Sequence, residues 1–138
     1  MTSRYSTEAT AIGGRHGAVA SVDGALKALL SKPEALGGKG GAGTNPEQLF
    51  AAAYAACFLE ALKTVAADTG ETVAPDANVT VSVTLESALE CPILGVAVAV
   101  DLPGQDHAAA VALARRAHDV CAYSRVLRGH LDVHVSVP

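Results

Sequence analysis

Val79, Val81, Val83 and Leu85 alternate with Thr80, Ser82, Thr84 and Glu86, the period of a strand with one face in the core and one in water. Ile93 to Leu102 and Leu131 to Val137 repeat the pattern. Tyr5 to Ile12 and Ala18 to Val22 are shorter extended runs, and the glycine-rich turn Gly13-Gly14-Arg15-His16-Gly17 between them predicts a hairpin. Arg15 then sits at a turn, free to point at a partner. A further run, Leu26 to Leu30, ends before Pro33, and Gly37 to Gly43 predicts a loop without regular structure.

The helical signals are as distinct. Asn45 can cap, Pro46 suits the first helical position, and Gln48 three residues after Asn45 resembles a capping box. The helix is predicted to run to about Asp68, with Gly70 beyond its end. Phe50, Tyr54, Cys57, Ala61 and Val65 recur at helical spacing, while Ala51, Ala52, Ala55 and Ala56 make the other sides apolar too, as in a buried helix. Pro103-Gly104-Gln105-Asp106 opens a second helix on which Val111, Ala114, His118 and Cys121 share a face, with Cys121 near its end. Strands, helix, strands, helix, strand predicts an α+β fold in one domain, residues 1–138, without internal repeats.

Half of the 138 residues are apolar, enough for a genuine core. A net charge of -4 with scattered Lys and Arg offers no basic stripe, which argues against nucleic acid as a partner. The N-terminal residues lack an apolar signal core, and the longest apolar run, Leu49 to Leu59, is short for a bilayer, so the expectation is a cytoplasmic protein without a membrane partner. Three cysteines with no Cys-x-x-Cys pair suit neither a secreted disulfide scaffold nor a zinc site. Such thiols are either inert or redox-active.

Gly38-Lys39-Gly40-Gly41-Ala42-Gly43 formally matches a dinucleotide fingerprint, but the expected acid on a following strand is missing, and Lys39 is not followed by Ser or Thr as in a P-loop. It reads as a plain loop. His118 and Cys121, three apart, have the spacing of a dyad or half a metal site, yet nothing supplies the other half. No bound metal or cofactor is expected. Cys57 in an alanine-rich helix is by default a small core residue. Ala53, Ala56 and Ala61 leave room around its sulfur, however, Arg15 has no obvious structural task, and Glu47 can hold an arginine.

Asn45-Pro46-Glu47-Gln48-Leu49-Phe50-Ala51-Ala52-Ala53-Tyr54-Ala55-Ala56-Cys57-Phe58, with Gly13-Gly14-Arg15 upstream and Cys121-Ala122-Tyr123-Ser124 downstream, resembles the organic hydroperoxide resistance proteins of the wider OsmC-like family. Gln48 and Tyr54 are closer to that branch than to the osmotically induced one. The resemblance implies an OsmC-like fold, antiparallel sheets wrapped around long buried central helices in an intertwined homodimer with active sites at the subunit interface. It implies reduction of lipid and alkyl hydroperoxides to alcohols, with dihydrolipoamide, carried on a lipoylated protein, as the external electron donor. The family's roles fall on Cys57 as peroxidatic cysteine, Cys121 as resolving cysteine, and Arg15 and Glu47 as the activating pair. The chain departs from the pattern with Ala122 in place of proline, Ala53 in place of glycine and His130 in place of asparagine, and it has Cys91-Pro92 before a late strand.

The chemistry fits those roles. A buried thiol resists losing its proton, so Cys57 needs a cation, and a mid-helix position lends no help from a helix N-terminus. Arg15 stays charged and donates several hydrogen bonds, and Glu47 would orient it. Cys121, at the negative end of a helix dipole, suits a resolver better than a first attacker. Tyr54, Tyr123 and Phe50 are candidates for an apolar substrate wall, although Phe50, like Phe58, is equally an ordinary core position. Cys91 is expected to be a spectator. Glu47 and Cys57, ten residues apart, lie about 15 Å apart along one helix. Two helices crossing antiparallel near Ala51 to Ala53 would instead carry Glu47 of one chain toward Cys57 of the other, the alternative being that Arg15 is long enough to bridge the gap within one chain. Rival readings are an osmotically induced branch peroxidase and a non-catalytic acyl or lipoyl carrier using the same cavity.

Overall fold

A computed structural model describes residues 3–88 and 91–138. The chain divides into two compact units, Met1–Leu49 and Phe50–Pro138.

In the first unit, β1 (Ala9–Ile12), β2 (Ala18–Ser21) and β3 (Lys27–Leu29) form an antiparallel sheet in that order. The β1–β2 turn contains one turn of 3-10 helix, Gly14–His16, which carries Arg15. Gly13 enters it at φ 77°, and a Cβ on Gly17 would collide with the carbonyl of Ile12, so both ends of the turn require glycine. Gly37 to Gly43 holds no helix or strand, as expected, and returns the chain beside Leu30 through a parallel bridge to Thr44.

Helix α1, Pro46–Asp68, has the bounds that its sequence signals predict. Asn45 Oδ1 accepts the Gln48 backbone N–H at 2.8 Å. Gln48 does not close a capping box, because its Oε1 accepts the Thr44 hydroxyl at 2.8 Å instead. Nor is the helix buried all round. Tyr54, Phe58, Leu62, Val65 and Ala66 are buried, whereas Ala52, Ala53 and Ala56 are exposed. Apolar alanines thus face away from the core of their own chain.

In the second unit, β4 (Asn78–Ala88) pairs antiparallel with β5 (Cys91–Asp101). The predicted alternation holds on β4, where Val81 is buried and Thr80, Ser82 and Thr84 are exposed. The sheet is not wholly antiparallel: β6 (Val133–Ser136) pairs with β5 in parallel. Helices α2 (His107–Val120) and α3 (Ala122–Leu127) form the crossover that brings the chain back to run in the same direction. Asp106 caps α2, its Oδ1 accepting the Ala109 N–H at 2.8 Å. The core is formed by the buried side of α1, Val96, Val98 and Val100 of β5, and Ala110, Leu113, Ala114 and Ala117 of α2. Among the described residues α1 is the one helix long and apolar enough to cross a membrane, and its Tyr54, Phe58, Leu62 and Val65 lie in this core.

Candidate active site

Six-residue α3 is the element that sequence alone did not separate from its surroundings. Cys121 is the last cap of α2 and at once the N-cap of α3, at φ -61° and ψ 125°. It therefore stands between the negative end of one helix and the positive end of the next. Its side chain is buried, and its sulfur lies 3.6 Å from that of Cys57. Both thiols are free.

Cys57 is half-buried on α1. Burial pushes its thiol pKa up, first in importance, and the neighbouring Cys121 thiol adds to the rise. The backbone N–H groups of Tyr123 and Ala122 pull the other way. The position of Cys57 within α1 gives it no help, as expected, and the lowering influence comes from the Ala122 and Tyr123 amides at the start of α3. The help comes from another helix, which is why position within α1 could not reveal it.

A second link joins the same two segments. Tyr54, one turn before Cys57 on α1, is fully buried, and its hydroxyl lies 2.6 Å from the Oγ of buried Ser124. Ser124 Oγ lies 2.9 Å from His118 Nδ1. Burial raises the Tyr54 pKa above its ordinary value, against the opposing bond to Ser124. Burial lowers that of His118, with Arg128 acting in the same direction and Asp119 against it. His118 therefore bonds to a hydroxyl rather than to Cys121. Ser124 escaped sequence reasoning because its partners lie on other helices, 70 and 6 residues away. The one available signal was the three-residue spacing of His118, Cys121 and Ser124.

Of the aromatic candidates, Phe50 and Tyr123, with Val126 and Leu127, line an apolar cavity of about 220 Å³. Tyr54 lies beneath them, its ring centroid 6.0 Å from Phe50 and 5.9 Å from Tyr123. Within the first unit, Arg15 and Glu47 form a two-pronged ion pair, Nη1 to Oε2 at 2.8 Å and Nη2 to Oε1 at 2.6 Å. The Arg15 guanidinium holds the Glu47 carboxyl below the usual carboxylate range, against the effect of burial, and the bond to Glu47 raises Arg15 in turn. Among the described residues no cluster of His, Cys, Asp and Glu is arranged to hold a metal ion. Cys91 opens β5, and its side chain lies outside the described residues.

Residues 38–136 match the family model of the OsmC-like proteins. An organic hydroperoxide resistance protein of Xanthomonas axonopodis is 44% identical over 133 residues, covering 96% of this chain and 94% of its own. The crystal structure of an organic hydroperoxide resistance protein from Legionella pneumophila superposes with a TM-score of 0.92 at 45% identity, covering 99% of this chain and 98% of that one. A counterpart from Bacillus subtilis gives a TM-score of 0.84 at 36% identity, covering 99% of this chain and all of its own.

Proposed function

The chain belongs to the OsmC-like family, among the organic hydroperoxide resistance proteins, and from that premise we propose that it is a thiol peroxidase that reduces organic hydroperoxides through Cys57 and Cys121. The observation that carries this reading is the 3.6 Å approach of two free thiols in unlike surroundings, one half-buried and one buried.

Cys57 is the attacker. It is the more accessible thiol, and the Ala122 and Tyr123 amides favour its thiolate. Its sulfur takes the outer peroxide oxygen and becomes a sulfenic acid, and the alkoxide leaves and is protonated to the alcohol. Cys121 then attacks the sulfenic sulfur, and water leaves as the disulfide forms. The sulfurs need to close from 3.6 Å to about 2.05 Å, a movement within reach of side-chain rotation. Arg15, oriented by Glu47, is assigned as the cation that stabilises the thiolate and the developing oxygen anion. Its bidentate pairing supports the assignment, since it fixes the guanidinium plane and leaves further N–H donors for another acceptor.

Phe50 and Tyr123 supply an apolar wall for the alkyl part of the peroxide, with Tyr54 supporting it from below. This favours lipid and alkyl hydroperoxides over hydrogen peroxide. The protein works in the cytoplasm as a homodimer. The exposed Ala52, Ala53 and Ala56 support close packing of one α1 on another, which would bring the Arg15–Glu47 pair of one chain to Cys57 of the other. A dithiol, dihydrolipoamide on a lipoylated protein, returns the disulfide to two thiols.

Turnover of cumene hydroperoxide tests the reading, with dihydrolipoamide or thioredoxin as donor. Consumption with dihydrolipoamide alone is expected. Absence of peroxide loss with either dithiol would favour an acyl or lipoyl carrier.

A further inference from the structure

The α2–α3 corner carries the groups that meet Cys57, the Cys121 sulfur and the amides of Ala122 and Tyr123, yet little in the corner itself holds it against α1. Cys121 interrupts the helix at φ -61° and ψ 125°, and α3 follows with six residues and no side-chain cap. The backbone bonds of Cys121 run to Ala117 and Arg125, within the corner and not to α1. Ser124 is the one buried residue of α3. Its hydroxyl oxygen lies 2.6 Å from that of Tyr54 on α1 and 2.9 Å from His118 Nδ1 on α2. Among the described residues the bond to Tyr54 is the one hydrogen bond, apart from the contacts of the Cys57 thiol itself, that joins α1 to this corner.

Spacing gives that bond a bearing on the thiols. Tyr54 and Cys57 are three apart on α1, and Cys121 and Ser124 are three apart on the corner, so the two links are neighbours. A hydroxyl has one proton and two acceptor sites, so Ser124 can hold both partners at once, accepting from Tyr54 and donating to Nδ1 of a neutral His118. The lowered pKa of His118 agrees with the neutral form. Tyr54 and Ser124 are both fully buried, where an unmade hydrogen bond is costly, so the bonds persist.

We propose that Ser124 is the positioning residue of the thiol pair: its two hydrogen bonds lock the α2–α3 corner onto α1 and thereby keep Cys121 within reach of Cys57. The inference rests on the thiol peroxidase reading and deepens it, because it assigns the group that prepares resolution. Ser124 acts through the backbone of the corner and neither touches the peroxide nor moves a proton. Alanine would fill most of the same space but lacks the direction that two hydrogen bonds impose. Without the lock the corner samples positions with the sulfurs further apart, and only the fraction of chains in place can close the disulfide.

The test is the effective concentration of Cys57 and Cys121 toward each other. The full chain is equilibrated in mixtures of reduced and oxidised glutathione, and the Cys57–Cys121 disulfide is read by mass spectrometry of the peptides. Two protein thiols and one oxidised glutathione give one protein disulfide and two reduced glutathione molecules, so no peroxide enters. A side chain that only stabilises the fold contributes alike to the reduced and oxidised chains and leaves this equilibrium in place. Ser124→Ala is expected to lower the effective concentration about tenfold or more, since a misplacement of about 1 Å can cost about a hundredfold. Each tenfold is a shift of about 30 mV to a more oxidising potential. Tyr54→Phe and His118→Ala each remove one bond and should fall between Ser124→Ala and the wild type, while His118→Asn, which returns a side-chain partner to Ser124, should recover toward the wild type. Val100→Ala removes core volume on β5, touches neither bond and should leave the value unchanged. An unchanged value in folded Ser124→Ala, or an equal fall in Val100→Ala, overturns the lock, and an unchanged value in Tyr54→Phe does so if Ser124→Ala does not fold. Failure of the wild type to consume cumene hydroperoxide would sink the peroxidase reading, whereas this equilibrium needs no peroxide and reports on the corner by itself.

Discussion

Glu47→Gln tests the ion pair that the proposed mechanism relies on, and its effect can be worked out from geometry. The two bonds of 2.6 and 2.8 Å are short and bidentate, and the side chains of Arg15 and Glu47 are 31% and 17% exposed. Exposed pairs contribute about 0.2–1 kcal/mol, and hydrogen bonds to charged groups about 1.5–3 kcal/mol. A partly buried pair falls between, so the coupling in a cycle of Glu47→Gln, Arg15→Ala and the double variant is expected at about 1–1.5 kcal/mol at pH 7. Its pH dependence follows from Glu47, whose carboxyl Arg15 holds below the usual range. A depressed carboxylate contributes stability that is fully present above its unfolded pKa, near 4.3 in a free chain, and lost as the pH falls through the folded value. The coupling should therefore be constant from neutral pH to about pH 5 and decline below about pH 4. Urea denaturation at fixed protomer concentration measures it. A coupling below about 0.3 kcal/mol at pH 7, or one that grows as the pH falls below about 4, would refute the reasoning.

Cys57→Ser should consume no cumene hydroperoxide above background, because Cys121 lacks the accessible, amide-facing position of Cys57. Cys121→Ser should perform one attack and then accumulate sulfenic acid, which excess peroxide drives to the sulfinic and sulfonic forms, a mass increase on the Cys57 peptide. Ser124→Ala leaves the buried Tyr54 hydroxyl and His118 Nδ1 without their shared partner and should lower the stability by about 1–3 kcal/mol in urea melts. Ala122→Pro fits the first position of α3 and the extended φ and ψ of Cys121 before it, and should stabilise by about 0.4–1 kcal/mol. The same change removes an N–H that favours the Cys57 thiolate, so ultraviolet absorbance of the thiolate should show the Cys57 pKa raised.

The long first helix was legible in the sequence because its signals are local: a capping Asn45, Pro46 inside the start, an unbroken apolar period and Gly70 beyond the end. The β4 alternation was legible for the same reason. The parallel pairing of β5 with β6 was not, since alternation gives a strand its faces but not its neighbour. Helix α3 escaped because it is short, follows α2 after one residue and lacks a side-chain cap. That omission hid a second feature of Cys121, which stands at the start of a helix as well as at the end of another. The candidate residues Glu47, Cys57 and Cys121 were proposed from the motif around Asn45 to Phe58 and the cysteine near Tyr123. The Tyr54–Ser124–His118 chain was not, because hydroxyls and an imidazole brought together from separate helices leave no spacing to read.

The central claim is that Cys57 attacks and Cys121 resolves, with Cys91 taking no part. Treating the reduced chain with one equivalent of cumene hydroperoxide per subunit, blocking the remaining thiols and mapping the peptides by mass spectrometry tests it directly. The account predicts a dominant Cys57–Cys121 disulfide with Cys91 as the single blocked thiol. A dominant disulfide containing Cys91, or full blocking of all three cysteines after the peroxide, would contradict it.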